Sequence, residues 1–179
     1  MIFYIVLAIV IVQRITELII AKRNEKVMLA QGAYEVGASH YPYMVLLHVA
    51  FFMSLLIEVT YFKAYTLTHI VFLILFVSLQ IVRVWCIVSL GSFWNTKIII
   101  LRTAKVVSKG PYKYIRHPNY LVVCLEIALL PLMFGAYFTA VLFTILNLFM
   151  LSIRIPLEEE ALKSATDYTV YMRGELREK

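Results

Sequence analysis

Five runs of apolar residues, divided by short polar stretches, set the first expectation for this chain. Residues 2–20, 43–62 and 67–90 are each long enough to cross a hydrocarbon core of about 30 Å as a helix that rises about 1.5 Å per residue. Pro42 stands at the start of the second run, where a helix tolerates proline, and only residues 63–66 join the second run to the third. Residues 119–134 would rise only about 24 Å, and Pro131 and Gly135 interrupt them before residues 137–153 run back. The pattern predicts an all-α polytopic membrane protein with about five transmembrane helices. The last two form a hairpin that spans a locally thinned bilayer or stops within it. With no basic leader and no small-residue cleavage site, the first run is expected to be retained as a helix. No internal repeat or flexible linker divides the chain, so residues 1–179 read as one domain: three amino-terminal helices in 1–90 and a second half in 91–179.

Composition agrees with the pattern. At 62% hydrophobic and 16% charged residues, with a mean hydropathy of +0.83, the chain is too apolar for an ordinary soluble domain. The net charge of +6 does not point to nucleic acid, because the basic residues gather between the apolar runs, where anionic headgroups explain them. With the amino terminus outside the cell membrane, segments 21–42, 91–118 and 154–179 face the cytoplasm with three, six and five Lys or Arg, and the outer connections hold only Lys63. Cys86 and Cys124 lie in apolar runs without metal-ligand spacing and read as small core residues, and no metal is expected.

The chemistry concentrates in Gly110-Pro111-Tyr112-Lys113-Tyr114-Ile115-Arg116-His117-Pro118-Asn119-Tyr120, set against the start of the fourth run. Pro118 biases His117 away from helical dihedrals and can begin the next helix, which puts His117 beside unpaired backbone N–H groups. There Arg116 could pair with a carboxylate, His117 could exchange a proton near neutral pH, and Tyr112, Tyr114 and Tyr120 could stack on a ring or face a cation. The plainer alternative is a juxtamembrane anchor of Tyr, Arg and Lys. Past the last run, Arg154-Ile155-Pro156-Leu157-Glu158-Glu159-Glu160 allows two readings. Either a helix starts near Pro156 and its first-turn carboxylates complement the dipole, or a carboxylate returns to the membrane face to meet Arg154, Arg116 or the amine or hydroxyls of a ligand. Within the membrane, Gln13, Arg14, Glu17, His48, Glu58, Gln80, Arg83, Glu126 and Asn147 are costly unless paired or facing a cavity. Arg14 and Glu17 suit intrahelical pairing at i,i+3, and Glu126, six residues beyond Tyr120, is a candidate for the inner wall of the same cavity. His48 and His69 read as satisfied helix histidines. Residues 94–101 suggest a short strand or hairpin cap, and residues 32–42 a connector, with closure over the site as the alternative.

The string Gly-Pro-Tyr-x-Tyr-x-Arg-His-Pro-x-Tyr at 110–120, followed by Arg154, Glu158 and Glu159, resembles the isoprenylcysteine carboxyl methyltransferase family of membrane enzymes, over roughly residues 90–171. The resemblance implies a five-helix core whose carboxyl-terminal half binds S-adenosylmethionine from the cytosol, while a tunnel admits a lipid-like acceptor from the bilayer. It implies that Tyr112, Arg116, His117, Pro118, Tyr120, Arg154, Glu158 and Glu159 bind the cofactor. From the residues themselves, His117 and Arg116 are the catalytic candidates, with His117 the base that a weakly acidic resorcinol hydroxyl would need and a hydroxypyrone or carboxylate would not, and Glu126 is the candidate toward the substrate. The amino-terminal half, in Gln13-Arg14-Ile15-Thr16-Glu17-Leu18, Lys22-Arg23-Asn24, Gly32-Ala33-Tyr34-Glu35 and His40-Tyr41-Pro42, is similar to small bacterial members that partner type III polyketide synthases and O-methylate alkylpyrones or alkylresorcinols. Val122, where Gly often follows the motif Tyr, and Ser164-Ala165, in place of Phe-Gly, depart from the family pattern. A prenylcysteine-type carboxyl acceptor is the alternative. Two further rivals are an NADPH-dependent membrane reductase, whose motif Arg-His-Pro-Asn-Tyr also resembles, and a binding protein without catalysis. No Gly-x-Gly-x-x-Gly occurs, so a soluble nucleotide-binding domain is not expected.

Overall fold

A computed structural model describes residues 1–63, 70–102 and 104–172. The chain order is α1 (Ile2–Ala30), β1 (Tyr34–Val36), α2 (Tyr41–Tyr61), α3 (Ile70–Leu90), β2 (Ile98–Ile100), α4 (Pro118–Leu132), α5 (Tyr137–Ala165) and the short α6 (Tyr168–Met172). The third helix was expected from Leu67, and His69 was expected within it; both lie outside the described residues. Among the described residues, four helices (α1, α2, α3 and α5) are long and apolar enough to cross a membrane. The fifth, α4, has 15 residues and rises about 22 Å, short of a full span. The chain is thus a multi-pass membrane protein, and most of the aliphatic surface of its long helices faces outward, as lipid contact requires.

Two helices outrun their apolar stretches. α1 continues ten residues past Ile20 to Ala30, because Lys22, Arg23, Glu25, Lys26, Met28 and Leu29 are good helix formers even where they leave the bilayer. Asn24 then donates to the carbonyls of Gly91 and Trp94 at 3.0 and 2.7 Å, and Glu25 meets Lys97 at 2.8 Å, which docks the extension on the 91–97 segment. α5 runs unbroken through Pro156, so no new helix begins there. Proline removes one ladder hydrogen bond, but Leu157, Ala161, Leu162 and Ala165 pack on the strand residues Ile98 and Ile100 and hold the helix on course. Glu158 to Glu160 therefore sit mid-helix, and the first-turn dipole reading of them is overturned.

β1 and β2 pair antiparallel, with Tyr34 opposite Ile100, Glu35 opposite Ile99 and Val36 opposite Ile98. Residues 32–42 are thus not merely a connector: they supply the first strand of a ribbon that caps one end of the bundle. Gly37, at φ 66°, lets the ribbon come down on α5, since a Cβ there would collide with Leu157. Lys97 holds the ribbon to α1 by bonding Glu25 at 2.8 Å and Glu35 at 3.0 Å, and these contacts raise its pKa. At the other end, Gly135 (φ 67°) turns α4 into α5. Glu58 of α2 caps α5 by accepting from the Phe138 and Thr139 backbone N–H groups at 3.0 and 2.8 Å.

The polar residues inside the membrane are paired with one another. Arg83 reaches Glu17 through Nε at 2.5 Å and Nη2 at 2.6 Å, and Glu126 through Nη1 at 2.6 Å. Arg14 pairs with Glu17 at 2.7 Å, the expected intrahelical contact, and also with Glu126 at 2.8 Å. Gln13 and Gln80 complete the network, Gln13 adding a donor to the Glu17 oxygen that Arg83 Nε also bonds, at 3.0 Å, and Gln80 donating to the other oxygen of Glu126 at 2.9 Å. Two cations and two anions cancel, so three helices are pinned together without leaving net charge in hydrocarbon.

Candidate functional site at the membrane face

The backbone around residues 110–120 explains how the motif assembles. Gly110 takes φ 59° so that the turn Gly110–Lys113 presses on α3, where a Cβ would strike Ser89 and crowd Trp85. The turn carries Tyr112 inward beside Cys86. Burial pushes the Tyr112 phenol above its ordinary pKa, so it stays protonated and can donate. His117 precedes α4 with non-helical dihedrals (φ −127°, ψ 63°), and Pro118 opens the helix, as the sequence implied. Tyr120 follows on the first turn, its ring 5.5 Å from that of His117.

α5 brings the acidic pair to these residues. Tyr120 Oη donates to Glu158 at 2.5 Å. Glu159 lies 3.2 Å from His117 Nε2, accepts from Tyr168 Oη at 3.2 Å and faces Lys163 at 3.6 Å. Burial and the Glu159 charge both raise the Tyr168 phenol, which favours the donating form. Arg154 is 5% exposed; its Nη2 donates to the Thr96 carbonyl at 2.9 Å, its Nη1 meets the Met44 sulfur, and its charge lies 6.0 Å from the centre of the Tyr120 ring. Arg116 is exposed at the rim and makes no hydrogen bond or ion pair among the described residues. Among the described residues, neither Arg116 nor Arg154 meets a carboxylate. Glu126 is apart from this group, engaged in the buried ionic network.

A cavity of about 420 Å³ joins these parts. Its polar end is walled by Arg116, His117, Asn119, Tyr120, Arg154 and Glu158. Its middle passes His48, Arg14 and Glu126, and its inner end is apolar, with Phe51, Phe76 and Leu130. Three buried polar atoms on its wall have no partner among the described residues: Trp94 Nε1, Asn119 Oδ1 and Arg154 Nε. Buried polar groups are normally paired, so this set marks where a polar ligand would bond. Donors at Trp94 and Arg154, an acceptor at Asn119 and the carboxylate of Glu158 together fit a ligand that carries an ammonium, a carboxylate and a cationic sulfur. The cavity also opens sideways. Leu18 of α1 and Val45 and Val49 of α2 line it while remaining 49%, 41% and 55% exposed on the lipid-facing surface. The opening lies between α1 and α2, not at the α4–α5 hairpin, whose exposed aliphatic residues stay outside the wall.

Of the residues singled out from the sequence, Tyr112, Arg116, His117, Tyr120, Glu126, Arg154 and Glu158 line this one cavity, Glu159 holds His117, and Pro118 is buried at the helix start. Trp94, Thr96, Asn119 and Tyr168 were not picked as site residues. Asn119 stood inside the motif as an unspecified position; the others come from segments that only the fold brings near.

The sequence profile of the isoprenylcysteine carboxyl methyltransferase (ICMT) family matches residues 71–164, from the start of α3 through nearly all of α5, and the chain belongs to this family. Methyltransferases of the family take the methyl group from S-adenosylmethionine. A Bacillus subtilis protein, the uncharacterized YpbQ, is 46% identical over 162 residues, covering 90% of this chain and 96% of its own length. An uncharacterized Haemophilus influenzae protein is 30% identical over 151 residues, covering 83% and 88%. No solved structure matches.

Proposed function

We propose that the protein O-methylates a long-chain amphiphile drawn from the bilayer, with S-adenosylmethionine as donor, and that the acceptor is an alkylpyrone or alkylresorcinol made by a type III polyketide synthase. The observation that carries the reading is the single cavity running from a polar, cation-compatible end to an apolar end with a lateral opening. The donor supplies an electrophilic methyl on a sulfonium, and its transfer is an in-line displacement. The protein's part is therefore alignment and desolvation. Glu158, oriented by Tyr120, offers its carboxylate to the ligand's positive charge, and Arg154 and Trp94 offer donors to its carboxylate. Asn119 accepts, and Arg116 closes the rim. His117, held by Glu159, orders the wall at the start of α4. Phe51, Phe76 and Leu130 take the alkyl tail. The basic residues on the 21–42, 91–118 and 154–179 segments support a cytoplasmic position for the polar end and an outer amino terminus in the cell membrane.

The family's own description favours a second reading, a prenylcysteine-type carboxyl acceptor. A chain-length series of hydroxypyrones and resorcinols, set against farnesylcysteine and followed by mass spectrometry of methylated product, separates the two. The polyketide reading expects KM to rise stepwise as the tail shortens, by a few-fold per methylene at about 0.8 kcal/mol each. Preference for farnesylcysteine would overturn the acceptor and leave the methyl transfer standing.

A further inference from the structure

The sequence presents His48 as a helix histidine satisfied by its neighbours, but the fold satisfies only half of it. Nδ1 lies 2.8 Å from the Met44 carbonyl one turn earlier, so that nitrogen carries the proton and donates it. Nε2 then holds a lone pair, and it has no partner among the described residues. The ring is part of the cavity wall. It stands about 6 Å along α2 from Met44, the residue that touches Arg154 at the polar end. It also lies between Val45 and Val49, the two α2 residues at the lateral opening. An amphiphile that slides in between α1 and α2 with its head toward the donor end passes its polar group across Nε2.

We propose that His48 is the general base for the acceptor hydroxyl, a role that rests on the O-methylation reading above. The acceptor O–H proton passes to Nε2, and the oxygen lone pair forms the new bond to the methyl carbon of a sulfonium donor. The carbon–sulfur bond breaks with its electron pair left on sulfur, so the donor leaves as a neutral thioether. The imidazolium then returns its proton to water. The charged groups facing the ring come from every neighbouring helix: Arg14 and Glu17 from α1, Arg83 from α3, Glu126 from α4 and Arg154 from α5. Both carboxylates are bound to arginines, which leaves His48 Nε2 as the unengaged base among these groups. The guanidinium groups in turn favour an acceptor oxygen that gains negative charge as it loses its proton.

A base matters only where the acceptor is weakly acidic, and this makes the proposal testable. A resorcinol hydroxyl, with a pKa near about 10, needs it; a 4-hydroxypyrone, which arrives as its anion, does not. In the purified full-length protein, His48→Gln is expected to lower kcat for an alkylresorcinol by about 100-fold or more, while a hydroxypyrone of equal tail length reacts nearly as before and S-adenosylmethionine binds unchanged. The resorcinol rate of the variant should recover as pH approaches the phenol's own ionisation. A readout without turnover is a bound long-chain nitrophenol in the absence of donor, whose phenolate absorbance should develop at higher pH in the variant than in the wild type. Should the variant fold poorly, the wild-type resorcinol rate still decides: it must rise with pH as one proton is lost well below the phenol's own ionisation. Equal losses with both acceptors, or a flat wild-type profile, would overturn the base. Methylation of farnesylcysteine but of neither hydroxyl acceptor would overturn the acceptor reading, and this role with it.

Discussion

Glu158, Glu159 and Glu160 are consecutive, yet the fold gives each a different partner. Glu158 is bonded by Tyr120, Glu159 is held among His117, Tyr168 and Lys163, and Glu160 is exposed. Glu159→Gln should therefore weaken S-adenosylmethionine binding by about ten- to a hundredfold, through loss of the charge-assisted contact that holds His117 in the wall, worth roughly 1.5–3 kcal/mol, and Glu160→Gln should weaken it less. Calorimetric titration of both variants checks this, and equal effects would remove Glu159 from the site. Arg116→Ala and His117→Ala should each insert and purify like the wild type and lose most turnover, because both stand at the water-facing rim and not in the helix core. A collapse in yield instead would make them structural anchors. The contiguous motif was legible in the sequence because its residues share one turn and one helix start. Trp94, Thr96 and Tyr168 were not, since their place at the cavity depends on the ribbon and on the turn between α5 and α6. His48 bonds its own backbone through Nδ1, as a helix histidine usually does, and that bond leaves the lone pair on the other nitrogen.

Helix starts were easier to read than helix ends. Pro42 and Pro118 mark real starts, whereas α1 and α5 continue past the point where the sequence turns polar. A switch from apolar to charged residues marks the edge of the bilayer, and a helix with good formers beyond it has no reason to stop there. The intramembrane polar residues were recognisable as needing partners, but which helix supplies them is a tertiary fact. The network joining α1, α3 and α4 makes its own prediction. Arg83→Leu leaves two carboxylates facing one cation and should cost about 3–5 kcal/mol, whereas Arg83→Leu combined with Glu17→Leu leaves the neutral Arg14–Glu126 pair and should recover most of it. Thermal unfolding in detergent measures both, and a double variant no better than the single would deny that charge balance is what holds the three helices. Glu58→Ala removes the cap from α5 and should cost about 1–3 kcal/mol by the same measurement.

At the scale of the molecule, the all-α membrane architecture followed from the apolar runs, and the family from eight residues in eleven. The ribbon clamped over one end and the opening between α1 and α2 did not, because both arise from segments far apart in sequence. Together they describe a chamber with a polar end and an opening on the lipid-facing side, which the proposed function gives to a charged donor and a greasy acceptor. The account stands on that donor. Titrating the purified protein in detergent with S-adenosylmethionine, and separately with NADPH, tests it most directly. Saturable binding of S-adenosylmethionine that Arg154→Ala and Glu158→Gln weaken, with no binding of NADPH, is the predicted result; binding of NADPH without S-adenosylmethionine would contradict it.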